Sequence, residues 1–180
     1  EGLGLEAAGV EAQRAGVVVD DHLRTTNRRI FAAGDVCSAF KFTHAADAMA
    51  RVVVQNALFF GRRKVSALLI PWSTYTDPEV AWAGLTETQA KAQGIAIEKG
   101  AFPWIASGRS LALGRDEGMT KLLFAKDSKR LVGAGIVGPH AGDLISECAL
   151  AIEVGADAED LALTVHPHPT LGETIGLAAE

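Results

Sequence analysis

The pattern of residues changes near Pro71, and this change constrains the fold more than any other feature of the sequence. Before it, short apolar runs alternate with loops and lead into one segment with helical spacing, as in an α/β layer. After it, β-prone runs are separated by turns and by short helical segments, which is typical of an antiparallel sheet with helices on one side. We therefore predict two parts, residues 1–67 and residues 68–180, of which the second is an α+β domain.

The first part contains few regular elements. We expect at most a short helix in 1–14, strands in 15–20 and 30–33, and a helix in 44–60. The second of these strands runs into Gly34 and Asp35, which would place a carboxylate at the carboxyl edge of a sheet, where open α/β sheets bind ligands. A Gly-Asp pair is also common in loops, so this signal is weak on its own.

The second part has recognisable helix start and stop signals. Thr86 and Gln89 have the spacing of a capping box, and Gly94 is typical of the end of that helix. Asp157 is expected to cap another short helix. We predict strands in 72–76, 80–83 and 95–102, a loop in 103–118, a hairpin of 119–126 with 131–137, and a helix in 143–154.

Composition excludes several classes of protein. Apolar residues make up 48 % of the sequence, and the net charge of −5 with scattered basic residues argues against nucleic-acid binding. No apolar run approaches the roughly eighteen residues that a membrane span needs. The two cysteines, Cys37 and Cys148, form no zinc-binding or dithiol pattern, so we expect a reducing, cytoplasmic compartment.

Residues 166–173, His-Pro-His-Pro-Thr-Leu-Gly-Glu, are the most informative stretch for chemistry. The prolines keep the backbone extended, so His166 and His168 would face opposite sides. Thr170 and Glu173 have capping-box spacing, with a helix opening at Thr170. An imidazole followed by a carboxylate is typical of a general base with its orienting group. A purely structural histidine and a metal pair of the two histidines remain alternatives.

A glycine pattern at residues 133–138, Gly-Ala-Gly-Ile-Val-Gly, fits the G-x-G-x-x-G signature of dinucleotide binding. That signature needs a helix to open within it, so that backbone amides face a pyrophosphate. Here the glycines lie inside a predicted strand. We therefore expect these small residues to allow close packing against a helix.

Several runs resemble the pyridine nucleotide-disulfide oxidoreductases, a family of flavoprotein disulfide reductases. Residues 25–36, with Ile-Phe-Ala-Ala-Gly-Asp near their end, resemble the family's second flavin-contacting motif. Residues 75–87 resemble the start of its interface domain, and 166–173 resemble the ending of that domain. The resemblance implies an interface, or dimerisation, domain with an antiparallel sheet and flanking helices in 68–180. A fragment of an α/β FAD-binding domain would precede it in 1–67.

The resemblance also implies roles for individual residues in the FAD-binding part. Asp35, beside Gly34, would hydrogen-bond the ribitol chain of the flavin. The backbone at Thr43, His44 and Ala45 would approach the pyrimidine edge of the flavin, at the start of a helix whose dipole favours negative charge.

In the interface domain, the resemblance implies that His168 takes a proton from a substrate dithiol and that Glu173 orients it. The histidine would serve the active site of the other subunit, so a homodimer is implied, and no metal. FAD and NAD would be cofactors of the intact enzyme. The family's first FAD-binding unit, nicotinamide domain and redox disulfide are not in this sequence. We therefore expect a carboxyl-terminal segment that alone retains no cofactor and is inactive.

Two branches of the family are matched by different runs. Residues 102–109 and 173–180 resemble the dihydrolipoamide dehydrogenase branch, whose partner would be the dihydrolipoyl group of a 2-oxo-acid dehydrogenase complex. Residues 37–47 are closer to the mercuric-reductase-like branch, which is the alternative. From another class, a stand-alone dimerisation module without catalysis also fits the sequence.

Overall fold

The computed structural model describes residues 2–180, so Glu1, the first residue of the predicted 1–14 segment, lies outside it. The chain forms two compact units, one ending at Ile70 and the other extending from Pro71 to Glu180. No helix within residues 2–180 is long and apolar enough to cross a membrane.

One helix organises the first unit. Helix α1, Thr43–Leu58, turns Ala45, Met49 and Val52 inward, as the spacing of its apolar residues predicted. Leu23 completes the small core beside Met49 and Val52. Two short strands, β1 (Ala12–Gln13) and β2 (Gly16–Val17), form an antiparallel pair, and 3₁₀ helices span Gly34–Val36 and Val65–Ala67.

The predicted strand at 30–33 is wrong. Only Phe31 makes a single antiparallel bridge, with Arg24. The chain reverses too tightly to extend this pairing, because the backbone N–H of Ile30 donates to the carbonyl of Asn27 and closes a turn. Residues 5–9 likewise form turns instead of a helix, and within the predicted strand 15–20 only β2 is regular.

The second unit is a five-stranded antiparallel sheet with helices, which confirms the predicted α+β architecture. Its strands are β3 (Trp72–Thr74), β4 (Glu79–Gly84), β5 (Ile97–Pro103), β6 (Met119–Ala125) and β7 (Leu131–Gly138). They are ordered β3-β4-β7-β6-β5, and every neighbouring pair is antiparallel. The helices are α2 (Glu87–Ala92), α3 (Gly108–Leu113), α4 (Ala141–Val154), α5 (Ala158–Leu163) and α6 (Glu173–Ala179).

One face of this sheet forms the main core. Side chains of β6 and β7, such as Leu122 and Ile136, are fully buried against α4 and α6. Cys148 of α4 and Ile175 of α6 reach the same cluster and are also fully buried. Burial of apolar surface on this scale, at about 25 cal/mol per Å², is the main force that holds the helices on the sheet.

The glycines of β7 serve packing, but their neighbours differ from those we expected. A Cβ built on Gly135 would lie 2.1 Å from the ring of Trp82, and one on Gly138 would lie 2.0 Å from the ring of Trp104. A Cβ on Gly133 would meet the backbone carbonyl of Leu85. The small residues therefore make room for two indole rings and a strand end, and not for a helix.

The predicted loop at 103–118 is also wrong. A 3₁₀ turn at Trp104–Ala106 leads into α3, whose N-cap, Ser107, accepts a hydrogen bond from the backbone N–H of Ser110. Gly114 ends the helix in the left-handed conformation that favours glycine. Ser107 and Gly114 are residue types that commonly start and end helices, and the prediction did not use them. The predicted caps at Thr86 and Asp157 are confirmed.

Candidate active-site residues

The segment from Thr164 to Gly172 joins α5 to α6 and presents His168 at the surface. The hydroxyl of Thr170 donates to the carbonyl of Pro167 over 2.7 Å, which closes the segment into a compact turn around the histidine. Pro167 and Pro169 restrict the backbone on both sides of it. The position of the imidazole is therefore set by the local chain.

His168 and Glu173 form a hydrogen-bonded pair. His168 Nδ1 lies 2.8 Å from Glu173 Oε2. The histidine side chain is 76 % exposed, whereas the glutamate side chain is 14 % exposed. The pair thus consists of a nearly buried carboxylate that holds an imidazole out to solvent.

The carboxylate also fixes which nitrogen of the ring can react. Because Glu173 accepts at Nδ1, the neutral ring of His168 carries its proton there and leaves Nε2 as the basic nitrogen. Nε2 has no hydrogen-bond partner within residues 2–180. The arrangement can therefore accept a proton from a thiol that approaches from outside.

Thr170 and Glu173 are joined by two reciprocal hydrogen bonds just before α6, and not by a capping box of that helix. The backbone N–H of Thr170 donates to Glu173 Oε1, and the N–H of Glu173 donates to the hydroxyl of Thr170, both over 3.3 Å. Helix α6 begins only at Glu173, three residues later than predicted, with Gly172 as its N-cap. Both carboxylate oxygens of Glu173 are thus engaged, one by the backbone and one by His168.

His166 has a structural environment. Its side chain is 11 % exposed, and Nε2 lies 2.8 Å from Oε1 of Glu147 on α4. Nδ1 lies 2.9 Å from the carbonyl of Thr164. The two histidines therefore contact different carboxylates, and within residues 2–180 no group of three His, Cys, Asp or Glu side chains is placed to hold a metal.

The predicted flavin-contacting residues lie together in the first unit. Gly34 has φ +78°, and a Cβ on it would lie 2.8 Å from Cβ of Ala46 in the first turn of α1, so the turn that carries Asp35 packs against the start of this helix. The Asp35 carbonyl accepts a hydrogen bond from Nζ of Lys41. The Asp35 side chain is exposed at this edge.

The helix start itself shows which groups face outward. Thr43 and His44 are exposed, whereas Ala45 is fully buried and anchors the first turn. The ring of His44 stacks on Phe42 with centroids 5.3 Å apart. No side chain makes a capping hydrogen bond at Phe42, so no cap offsets the partial positive charge at the N-terminus of this helix.

These features fit the isoalloxazine side of FAD. A carboxylate can accept from ribitol hydroxyls, and a helix N-terminus suits the electron-rich pyrimidine edge. Gly34 lets the turn that carries Asp35 pack closely against the first turn of α1.

Neither cysteine has the environment of a reactive thiol. Both are free, and Cys148 is fully buried. Burial raises the pKa of Cys148 to about 12 and also raises the pKa of Cys37. A raised pKa keeps the thiol protonated, and the thiolate is the reactive form.

Four residues with buried or charged contacts in this unit were not predicted from the sequence. Glu147 holds His166, and the buried side chains of Trp104, Thr120 and Thr174 form a hydrogen-bonded chain next to Glu173. Their separation along the sequence left no local motif to find. Contacts between distant elements bring them together, since α4 meets the segment before His168 and β6 lies between the 3₁₀ turn at Trp104 and α6.

Two family models match this sequence. One, described as pyridine nucleotide-disulphide oxidoreductase, dimerisation domain, matches residues 70–179. The other, described as pyridine nucleotide-disulphide oxidoreductase, matches residues 1–50.

Similar proteins carry one name repeatedly. The chain is 47 % identical over 97 % of its length to a dihydrolipoyl dehydrogenase of Vibrio parahaemolyticus, and covers 37 % of that protein. It is 43 % identical over 99 % of its length to a mitochondrial dihydrolipoyl dehydrogenase of Dictyostelium discoideum, and covers 36 % of it. The chain thus spans little more than a third of the length of these curated relatives.

Solved structures with a similar fold cover nearly the whole chain. LpdA from Mycobacterium tuberculosis superposes with a TM-score of 0.91 at 27 % identity, over 99 % of this chain and 39 % of that one. The HOCl-induced flavoprotein disulfide reductase RclA from Escherichia coli superposes with a TM-score of 0.86 at 27 % identity, over 96 % of this chain and 40 % of that one.

Proposed function

Because the chain belongs to the pyridine nucleotide-disulphide oxidoreductase family, we propose that it functions within a dihydrolipoyl dehydrogenase, as the dimerisation domain and the end of the FAD-binding domain. The observation that carries this proposal is the pair of His168 and Glu173, with an exposed imidazole held by a nearly buried carboxylate. The relatives favour this branch of the family over the mercuric-reductase-like one.

The pair suits the first step of dithiol oxidation. A thiolate attacks a disulfide, whereas the thiols of a dihydrolipoyl group are mostly protonated near neutral pH. Nε2 of His168 takes the proton from one thiol, and Glu173 stabilises the imidazolium that results. One sulfur–sulfur bond then breaks in the enzyme as a new one forms to the substrate, and the second substrate thiol releases the oxidised product.

The residues at the edge of the first unit would hold the flavin. Asp35 would accept from the ribitol chain beside Gly34, and the backbone at Thr43, His44 and Ala45 would face the pyrimidine edge. When bound, FAD supplies the electron acceptor for the reduced disulfide, and NAD receives those electrons in turn. We therefore propose that residues 1–67 belong to the FAD-binding domain and residues 68–180 to the dimerisation domain.

The assembly we propose is a homodimer formed through residues 68–180, in which His168 serves the partner's active site. The electron donor is the dihydrolipoyl group of a 2-oxo-acid dehydrogenase complex. Both cysteines of the chain are free thiols, which supports a reducing compartment, and we place the protein in the cytoplasm.

The test is the His168→Gln variant of the protein expressed from the complete reading frame that contains this chain. General bases contribute about 10²–10⁴-fold, so we expect a loss of that size in dihydrolipoamide oxidation. NADH oxidation by a small artificial acceptor bypasses the dithiol and is expected to stay within about twofold. An unchanged rate of dihydrolipoamide oxidation would overturn the role of His168.

A mixed dimer tests where the base acts. One chain carries His168→Gln, and its partner lacks the redox cysteines of the complete protein. If His168 acts across the dimer, one of the two sites is intact and activity returns. If well-folded mixed dimers stay inactive, the base acts within its own subunit. A complete reading frame without redox cysteines would instead favour the stand-alone dimerisation module.

A further inference from the structure

Three fully buried polar side chains form a continuous hydrogen-bonded chain through the second unit. Trp104 Nε1 donates to the hydroxyl of Thr120 over 3.0 Å, and the hydroxyls of Thr120 and Thr174 lie 2.8 Å apart. The hydroxyl of Thr174 lies 2.7 Å from the carbonyl oxygen of Leu171. Each of the three side chains has no solvent exposure. The chain thus links the 3₁₀ turn after β5, strand β6 and helix α6.

The direction of every bond in this chain is fixed. An indole N–H can only donate, so Thr120 accepts from Trp104. A carbonyl can only accept, so the proton of Thr174 is directed to Leu171. Thr120 must therefore donate to Thr174, and each hydroxyl makes one donation and one acceptance. A buried polar chain that is satisfied in this way has a single low-energy arrangement, which makes it rigid.

The far end of the chain acts on the turn that carries Glu173. The carbonyl of Leu171 accepts from the hydroxyl of Thr174 over 2.7 Å and from the backbone N–H of Thr174 over 3.2 Å. Glu173 lies inside this turn, between the two residues that the bonds join. The bonds therefore hold the backbone from which the carboxylate reaches His168.

We propose that Thr174 is a positioning residue for dithiol oxidation, whose hydroxyl, held by Thr120, fixes the Leu171–Thr174 turn and thereby the Glu173 carboxylate against His168. This inference rests on the proposed function of His168. The base must lie within hydrogen-bond reach of the thiol, and small displacements of a reacting group are costly. A rigid polar chain anchored in the sheet meets this need, whereas a helix of seven residues alone would fray.

The Trp104 end of the hydrogen-bonded chain is equally fixed. A Cβ on Gly118 would lie 2.7 Å from the ring of Trp104, and a Cβ on Gly138 would lie 2.0 Å from it. The indole is thus enclosed by two backbone segments and cannot rotate away from Thr120. Thr174 is therefore held in position by contacts with the sheet as well as by α6.

The test compares variants at residue 174 in the protein from the complete reading frame. Thr174→Ser keeps the hydroxyl. Thr174→Ala differs from the serine variant only by the loss of that hydroxyl. Thr174→Val removes the hydroxyl but keeps the shape of threonine. We expect kcat for dihydrolipoamide oxidation to fall about tenfold in the alanine and valine variants and to stay within about twofold in the serine variant. KM and NADH oxidation by an artificial acceptor are expected to stay near wild type. The pH profile of kcat should change in the same direction as in Glu173→Gln.

Two controls separate positioning from stability. Thr120→Val breaks the chain one step earlier and leaves the bond from Thr174 to Leu171, so we expect it to lower thermal stability with a smaller effect on kcat. Ser110→Ala removes a fully buried hydroxyl that has no hydrogen-bond partner within residues 2–180. We expect it to change neither the thermal stability nor kcat.

The outcomes are distinguishable. If His168→Gln lowers dithiol oxidation and the alanine and valine variants at 174 do not, the positioning role is overturned while the proposed function stands. The positioning role is equally overturned if the serine and alanine variants lose kcat to the same extent, or if all losses track the melting temperature. If His168→Gln itself has no effect, the proposed function fails first.

Discussion

The carboxylate of Glu147, on α4, lies 2.8 Å from Nε2 of His166, while Nδ1 of the same ring lies 2.9 Å from the carbonyl of Thr164. Both ring nitrogens of His166 thus face oxygen acceptors, a backbone carbonyl on one side and a carboxylate on the other. This contact ties the segment before His168 to a long helix of the core.

We expect Glu147→Gln to weaken this tie. The amide still offers an oxygen to Nε2 but removes the charge that strengthens the bond, which costs about 1 kcal/mol of unfolding free energy at a partly exposed site. Urea unfolding measures the loss. Glu153→Gln is the matched control, because Glu153 is exposed on the same helix, and it should change the unfolding free energy by less than about 0.5 kcal/mol. Equal losses in both variants would show that the contact with His166 adds nothing.

The two functions of Glu173 can be separated by substitution. Glutamine can still accept from the backbone N–H of Thr170 but carries no charge for His168, whereas alanine removes both contacts. We expect both variants to lower dihydrolipoamide oxidation about tenfold, less than the loss in His168→Gln. Only Glu173→Ala should also lower the unfolding free energy, by about 1 kcal/mol. A glutamine variant with full activity would show that the charge is not needed.

The thiols give a prediction about pH. Burial raises the pKa of Cys148 to about 12, so at pH 8 only about 10⁻⁴ of this thiol is ionised in the folded protein. Iodoacetamide should therefore label Cys37 first, since it is only partly buried. In the unfolded chain the pKa of this thiol is about 8.5. The free energy of unfolding should therefore fall as the pH rises above that value, because Cys148 ionises more easily in the unfolded chain. Mass spectrometry before and after denaturation measures both thiols, and rapid native labelling of Cys148 would contradict this.

Much of the second unit was predictable because its signals are local. The capping boxes at Thr86 and Asp157 and the hairpin of β6 and β7 each depend on residues within a few positions of one another. The pair of His168 and Glu173 was predictable for the same reason, since five residues separate them.

The rest depends on contacts between distant segments. The run 30–33 has the composition of a strand, yet a strand also needs a partner, and the turn at Asn27 allows Phe31 a single bridge. The chain of Trp104, Thr120 and Thr174 exists because the register of the sheet brings three separate elements together. Register is set by the alternation of apolar residues in paired strands and by turn geometry, so it depends on segments that lie far apart in the sequence.

The glycines of β7 give a last prediction, because sequence and structure assign them the same role through different neighbours. A Cβ on Gly135 would lie 2.1 Å from the fixed ring of Trp82, and its backbone φ is ordinary. The clash alone should therefore decide the outcome of Gly135→Ala. Gly108, the first residue of α3, also has an ordinary φ but open space around a Cβ, which makes Gly108→Ala the matched control.

We expect Gly135→Ala to lower the unfolding free energy by about 1–3 kcal/mol, the usual cost of overpacking a core. Gly108→Ala should be neutral or stabilising by up to about 1 kcal/mol, because alanine restricts the unfolded chain and favours the helix. Urea unfolding of the two variants gives the difference, and tryptophan fluorescence, to which Trp82 contributes, reports whether the surroundings of an indole ring have changed. If Gly135→Ala is as stable as the wild type with unchanged fluorescence, the indole ring does not require the glycine. If it is destabilised, adding Trp82→Phe to Gly135→Ala should recover part of the loss, since the smaller ring gives the new methyl group room beside β7.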